Sequence, residues 1–225
     1  VAIACVLAIA TPAGAKAPTD VLVMATIHSL HRKNPAYTYD DVYRLVDAYR
    51  PDFIGVEIRP EDLAAPADYL AANYPAEMIH FAEQGGPRVF GFDWLGDDVA
   101  GAPIPSDWWA SRSPIKRLER QLDQDPRYRD ARLQALQARQ AEIARSASAA
   151  GLNDGRYDRL NDLVYARQRA DLAHSPYAGV AQFYAERDRR IAANIAARIR
   201  ASPGARFIVL TGADHRSALI RSLRR

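Results

Sequence analysis

Phe207-Ile208-Val209-Leu210-Thr211-Gly212-Ala213-Asp214-His215 decides how this chain reads. A short apolar run passes through a tight turn, and a helical pattern, Arg216 to Leu223, follows. The order is strand, turn, helix, with a histidine where the helix begins. Near the other end the layout recurs: Val21-Leu22-Val23-Met24 leads into Ala25-Thr26-Ile27-His28. Between them, Phe53-Ile54-Gly55-Val56-Glu57 is a third apolar run, and it ends in an acid. In open α/β sheets, sites form outside the carboxyl ends of the strands. Three strand-like runs therefore each bring a titratable residue to that edge.

Outward from these runs, the spacing predicts alternating elements. A loop, His28 to Pro35, precedes a helix that opens at Thr38 or Tyr39 and carries Val42, Leu45, Val46 and Tyr49. Pro51 ends it. A second helix, Ala76 to Gln84, stops at Gly85-Gly86. Arg88 to Phe92 is the third strand, followed by Asp93-Trp94. This β-α-β-α-β order predicts an α/β fold with a mainly parallel central sheet, right-handed crossovers and flanking helices. Gly96 to Pro105 reads as a loop. From Ser106 to Ala149 the composition is helical, with one narrow apolar seam through Leu118, Leu122, Leu133, Leu136 and Ile143. Gly151 to Gly155 reads as a break, and Tyr157 to Ala173 as an amphipathic helix with Leu160, Leu163, Val164 and Leu172. Residues 106–175 are read as a helical insertion or cap over the strand ends; the competing reading has them cover one face of the sheet. The last long helix, Tyr177 to Ala201, has the stripe Tyr184, Ile191, Ile195 and Ile199. Asp188 falls inside that stripe, as a buried and paired acid would. Arg187 and Asn194 flank it, two turns apart, and can point together toward the sheet edge.

Composition bounds the function. The chain has 225 residues, 48% hydrophobic and 25% charged, which describes a globular protein. Of 30 basic residues three are lysines (Lys16, Lys33, Lys116), leaving 27 arginines. These mix with acids, as in Arg117, Glu119, Arg120 and Asp123, so the net charge of +3 comes with no single-sign patch and no nucleic-acid partner is expected. Val1 to Ala10 is apolar and Ala15-Lys16-Ala17 fits an A-x-A cleavage site, so residues 1–17 read as a signal peptide. The expectation is a periplasmic or secreted protein, a single α/β domain over residues 18–225, with no stable membrane insertion once the signal is cleaved. Ala2-Ile3-Ala4-Cys5 loosely matches a lipobox, but the apolar stretch continues beyond it and argues against a lipoprotein. Cys5 is the only cysteine, so the mature chain would carry no disulfide and no thiol nucleophile.

His28, Glu57, Asp93 and His215 each follow a strand-like run, and neighbouring parallel strands lie about 5 Å apart. Two imidazoles with one or two carboxylates suit two tasks. His28, Glu57 and His215, with Asp93 as a further donor, can hold a divalent metal such as zinc, manganese or cobalt. Alternatively, a histidine polarised by Glu57 can act as a general base on water without metal. His31, three after His28, reaches the same site if that turn is helical; the competing and preferred reading has it solvated. Asp93 either completes the site or caps a turn. Trp94, Trp108 and Trp109 read as packing residues, and Tyr37 and Tyr39 as candidates for pocket wall. His80 and His174 have no partner. Glycine-rich phosphate loop, nucleotide fingerprint and nucleophile elbow are all missing from the sequence.

Ala25-Thr26-Ile27-His28 and Gly212-Ala213-Asp214-His215 resemble the paired GxxH motifs of the TraB/PrgY, Tiki, ChaN and erythromycin-esterase-like superfamily. Glu57 is similar in place to that group's central glutamate, and Glu186-Arg187-Asp188 resembles its ERN motif. Ala25 replaces the first glycine and Asp188 the motif's asparagine. The resemblance implies that His28 is a base or metal ligand and Glu57 its partner. It implies that His215 is a second ligand or proton donor, and that Arg187 stabilises a developing oxyanion. Members differ in activity: Tiki-like proteins are described as metal-dependent proteases, erythromycin esterases open a lactone, ChaN-like members are associated with haem or iron, and TraB/PrgY members with peptide pheromone shutdown. The expectation is therefore a hydrolase acting on a small-molecule ester or a peptide. The alternative is a non-enzymatic binding protein for haem, iron or a peptide.

Overall fold

The structure, a computed structural model, describes residues 18–224. The signal-peptide reading and Cys5 lie outside the described residues. No helix among the described residues is long and apolar enough to cross a membrane.

The chain is α/β. Four strands, β1 (Asp20–Thr26), β2 (Phe53–Val56), β3 (Val89–Gly91) and β4 (Arg206–Gly212), form one parallel sheet in the order β1-β4-β2-β3. Between β1 and β2 runs α1 (Tyr39–Tyr49), and between β2 and β3 run α2 (Ala67–Asn73) and α3 (Ala76–Gln84). After β3 come α4 (Pro114–Gln124), α5 (Ala131–Ser146), α6 (Ala149–Asn153), α7 (Arg156–Leu172) and α8 (Ala178–Ala201). Last is α9 (Ala213–Leu223), which starts directly from β4.

β4 sits between β1 and β2, and Phe207 to Gly212 are all buried. That is what a central parallel strand covered on both faces requires, and it explains the continuous apolar run. Side chains alternate along it: Ile208 and Leu210 join the core that includes Val42, Met78 and Phe81, and Val209 joins Ile191, Ile195 and Leu219 on the other face. The register pairs Thr26 with Gly212 on one side and Gly55 with Val209 on the other. Residues just past Thr26, Val56 and Gly212 therefore emerge together.

α1 begins with a capping box: Asp41 N–H donates to Thr38 Oγ1, and Thr38 N–H donates to Asp41 Oδ2. Its entry loop differs from expectation. His31 is buried, not solvated. Its Nε2 accepts from Ile27 N–H at 3.1 Å and its Nδ1 donates to the Tyr37 carbonyl at 2.7 Å, which requires the neutral ring. Burial pulls its pKa down, in keeping. Tyr37 is buried too, with its hydroxyl on the Ala25 carbonyl at 2.8 Å, and forms no pocket wall.

Two further expectations need correction. The expected break at Gly151 to Gly155 is in part helix, α6 running to Asn153, and the reversal is confined to Gly155 at φ 87°. Leu163, placed on the apolar face of α7, is exposed; the buried positions are Tyr157, Asn161, Val164 and Leu172. The polar Asn161 takes a core-facing place because Gln140 donates to its Oδ1 at 2.8 Å while its own Nδ2 donates to the Asp214 carbonyl.

Candidate functional site

The strand ends deliver His28, Glu57 and His215 to one cavity of about 340 Å³, and Arg187 of α8 reaches it from the side. Each is placed by a local device. At His28 the backbone turns to φ 49°, a left-handed conformation uncommon outside glycine. The turn is tied by Leu30 N–H on the Ile27 carbonyl and by His31 on Ile27 N–H. Gly212 gives the imidazole room: a Cβ there would stand 2.7 Å from His28 Nε2. His215 lies in the first turn of α9, at the end of β4.

Both imidazoles are held the same way. His28 Nδ1 donates to Glu77 Oε1 at 2.8 Å, and His215 Nδ1 donates to Asp188 Oδ1 at 2.6 Å. A carboxylate on Nδ1 fixes the tautomer and leaves Nε2 as the working nitrogen. Glu57 lies between them. Its Oε2 accepts from Gly212 N–H at 2.7 Å and from the Thr211 hydroxyl at 3.0 Å, and its Oε1 accepts from Arg187 Nη2 at 2.9 Å. His215 Nε2 is 3.7 Å from Glu57 Oε1. Arg187 also grips Asp93 with two nitrogens, each at 3.0 Å. Asp93 Oδ1 also accepts from the adjacent Trp94 N–H at 2.7 Å. Arg187 Nη1 makes no hydrogen bond among the described residues, and it is not among the sealed, unpartnered atoms. Arg187 itself lines the cavity. Asn194 does point to the sheet edge, donating to the Phe92 carbonyl at 3.0 Å.

The electrostatics follow from this packing. Burial by itself would raise Glu57, but His215, Arg187 and His28 and the Gly212 N–H outweigh it and hold its pKa down at about 2. Burial raises Asp93, and the neighbouring Glu57 adds to the rise against the pull of Arg187. Burial pushes His28 down, yet the hydrogen bond to Glu77 and the Glu57 charge bring it above the ordinary 6.5. Burial and Arg187 push His215 down; Glu57 and Asp188 outweigh them and bring it above 6.5 as well.

Both Glu57 oxygens and both Asp93 oxygens accept hydrogen bonds within the protein. Among the described residues no group of three or more His, Cys, Asp or Glu side chains is disposed to hold a metal.

Glu77 escaped the reading of the sequence, although one signal was present. It shares the buried face of α3 with Met78 and Phe81, and an acid on an apolar helix face needs a partner. Tyr157, Tyr165 and Tyr184 also line the cavity. Trp108 packs in the core and Trp94 stacks on Phe183, as expected of packing residues, and His80 stacks on Tyr43 at 3.7 Å. No family model, no curated protein and no solved structure matches the chain.

Proposed function

We propose that this chain is a hydrolase that activates water against the carbonyl carbon of an ester or amide. The observation that carries the reading is the pair of imidazoles, each oriented through Nδ1 by a carboxylate, set beside one arginine in one cavity. The resemblance to the TraB/PrgY, Tiki, ChaN and erythromycin-esterase-like superfamily supports the same reading, and the leader-like N-terminus supports export.

His28 is the general base. Its side chain is 35% exposed, against 7% for His215, so it is the one that meets incoming water. Unprotonated Nε2 takes a proton from water while the water oxygen bonds to the carbonyl carbon. The carbonyl π pair moves onto oxygen, where Arg187 Nη1 stabilises it. On collapse the C=O re-forms, the bond to the leaving group breaks, and that group takes the proton from His28 Nε2. Glu77 stabilises the intervening imidazolium as the orienting acid of a catalytic triad does. His215 Nε2, 3.7 Å from Glu57 Oε1, faces the carboxylate that Arg187 holds. No step needs a metal.

The test is a panel of aryl esters, lactones and short peptides, assayed with wild type and His28→Ala in the presence of EDTA. Turnover by wild type that falls at least about 100-fold in the variant is expected. Equal rates in the two proteins, or no turnover of any substrate, would overturn the hydrolase reading; stoichiometric haem or iron would then favour the binding protein.

A further inference from the structure

The site cavity shares Tyr165, Tyr184 and Asp214 with a second cavity of about 390 Å³ between α7, α8 and α9. The two tyrosine rings stand 6.4 Å apart at this junction. Their hydroxyls differ. Tyr184 donates to Glu119, and nearby Tyr157 donates to Asp214 Oδ1 at 2.7 Å. Tyr177, further along, donates to Asp125 at 3.0 Å. Tyr165 has no hydrogen-bond partner among the described residues, yet its oxygen is not among the sealed, unpartnered atoms. Its side chain is half-buried and lines both cavities. Burial and the charges of Asp214 and Asp188 push its pKa upward, so the proton stays on the oxygen.

We propose that Tyr165 is a further catalytic residue, whose hydroxyl donates a hydrogen bond from the α7 wall to the developing oxyanion of a substrate lying across both cavities. It complements Arg187 Nη1, which reaches the same cavity from α8. The proposal rests on the hydrolase reading for its chemistry, but the contact itself can be measured apart from turnover. It also gives residues 106–175 a role in the reaction, because α7 belongs to them.

The experiment compares wild type, Tyr165→Phe and a control, Tyr177→Phe, which also loses a hydroxyl but lies outside both cavities. Two readouts are taken: kcat and KM on the best ester, and calorimetric binding of phenyl methylphosphonate, an anionic tetrahedral mimic. Removing one oxyanion donor is expected to lower kcat about 100-fold with KM little changed, and to weaken phosphonate binding by a similar factor. Tyr177→Phe should match wild type in both, and unchanged melting temperatures would show that all three proteins are folded. Ester turnover that needs His28 but is unaltered in Tyr165→Phe would overturn the proposal and leave the hydrolase reading intact. Phosphonate binding that depends on Tyr165 without any turnover would do the reverse: the contact stands and the hydrolase falls. No phosphonate binding and no turnover would sink both.

Discussion

Replacing Glu77 by glutamine keeps the size of the side chain and an oxygen that can accept from His28, but removes the charge. Glu77 is fully buried and its Oε1 is 2.8 Å from His28 Nδ1; its Oε2 has no hydrogen-bond partner among the described residues. A hydrogen bond to a charged group contributes about 1.5–3 kcal/mol and a neutral one about 0.5–1.5. The difference is about 1–2 kcal/mol, and one pKa unit corresponds to about 1.4 kcal/mol. Because the His28 side chain is 35% exposed, solvent screens the pair and the lower end applies. The His28 pKa should therefore fall by about one unit. With His28 in its proposed role as an unprotonated base, the acidic limb of kcat/KM should move down by the same amount. The plateau should drop as well, by about 100-fold or more, because the imidazolium formed in the reaction has lost its counter-charge and the amide can present N–H to Nδ1 and favour the wrong tautomer. The assay is a kcat/KM profile from pH 5 to 9, with an NMR titration of the His28 ring. An acidic limb that stays in place, with a plateau within threefold of wild type, would refute the assignment of Glu77 as the orienting acid.

Three further outcomes are expected. Gly212→Ala puts a methyl 2.7 Å from His28 Nε2 in a backbone (φ −53°, ψ 141°) that alanine adopts freely, so activity should fall about 100-fold with only a small change in melting temperature. His28 and His215 both have pKa values raised on folding, so their stabilisation is complete below about 6.5 and is lost as pH rises through the raised values; melting temperature should decline across that alkaline window, less steeply in Asp188→Asn. Away from the site, Arg59 is buried on Asp62, the Val99 and Ala102 carbonyls and Tyr69, so Arg59→Ala, which leaves buried Asp62 without its counter-charge and with only the Tyr69 and Tyr74 hydroxyls, should lower stability by about 3–5 kcal/mol in denaturant melts.

Much of the site could be read from strand polarity. His28, Glu57 and His215 each stand one to three residues past the end of a strand, and in a parallel sheet all such ends face one way. Asp188 was legible as an acid inside an apolar stripe, and the structure supplies its partner, His215. What the chain does not reveal by pattern is long-range pairing. Nothing local in Phe207 to Leu210 says that β4 enters between β1 and β2, and that insertion is what brings Gly212 beside both His28 and Glu57. Glu77 was passed over and His31 read as solvated because a polar residue next to a helix start or in a loop shows no partner in the sequence. Ile27 N–H and the Tyr37 carbonyl claim His31, and His28 claims Glu77. Leu163 shows the opposite error, an apolar residue at helical spacing that tertiary packing leaves outside.

The central place of β4 also constrains the order of events in folding. β1 and β2 come early in the sequence but do not touch as strands; each waits for β4 to lie between them. The tie between Thr26 and Thr211 spans a sequence separation of 185. Contacts that distant close slowly, because the chain-closure entropy is lost before the pairing compensates it. During synthesis, then, the nascent chain carries two incomplete strand edges through most of its length, and such edges are where association with other chains begins. Glu57, meanwhile, lacks its anchoring Gly212 N–H, and His28 lacks the surface it rests on. The candidate site is thus the last feature the molecule assembles, completed when β4 slots into the sheet.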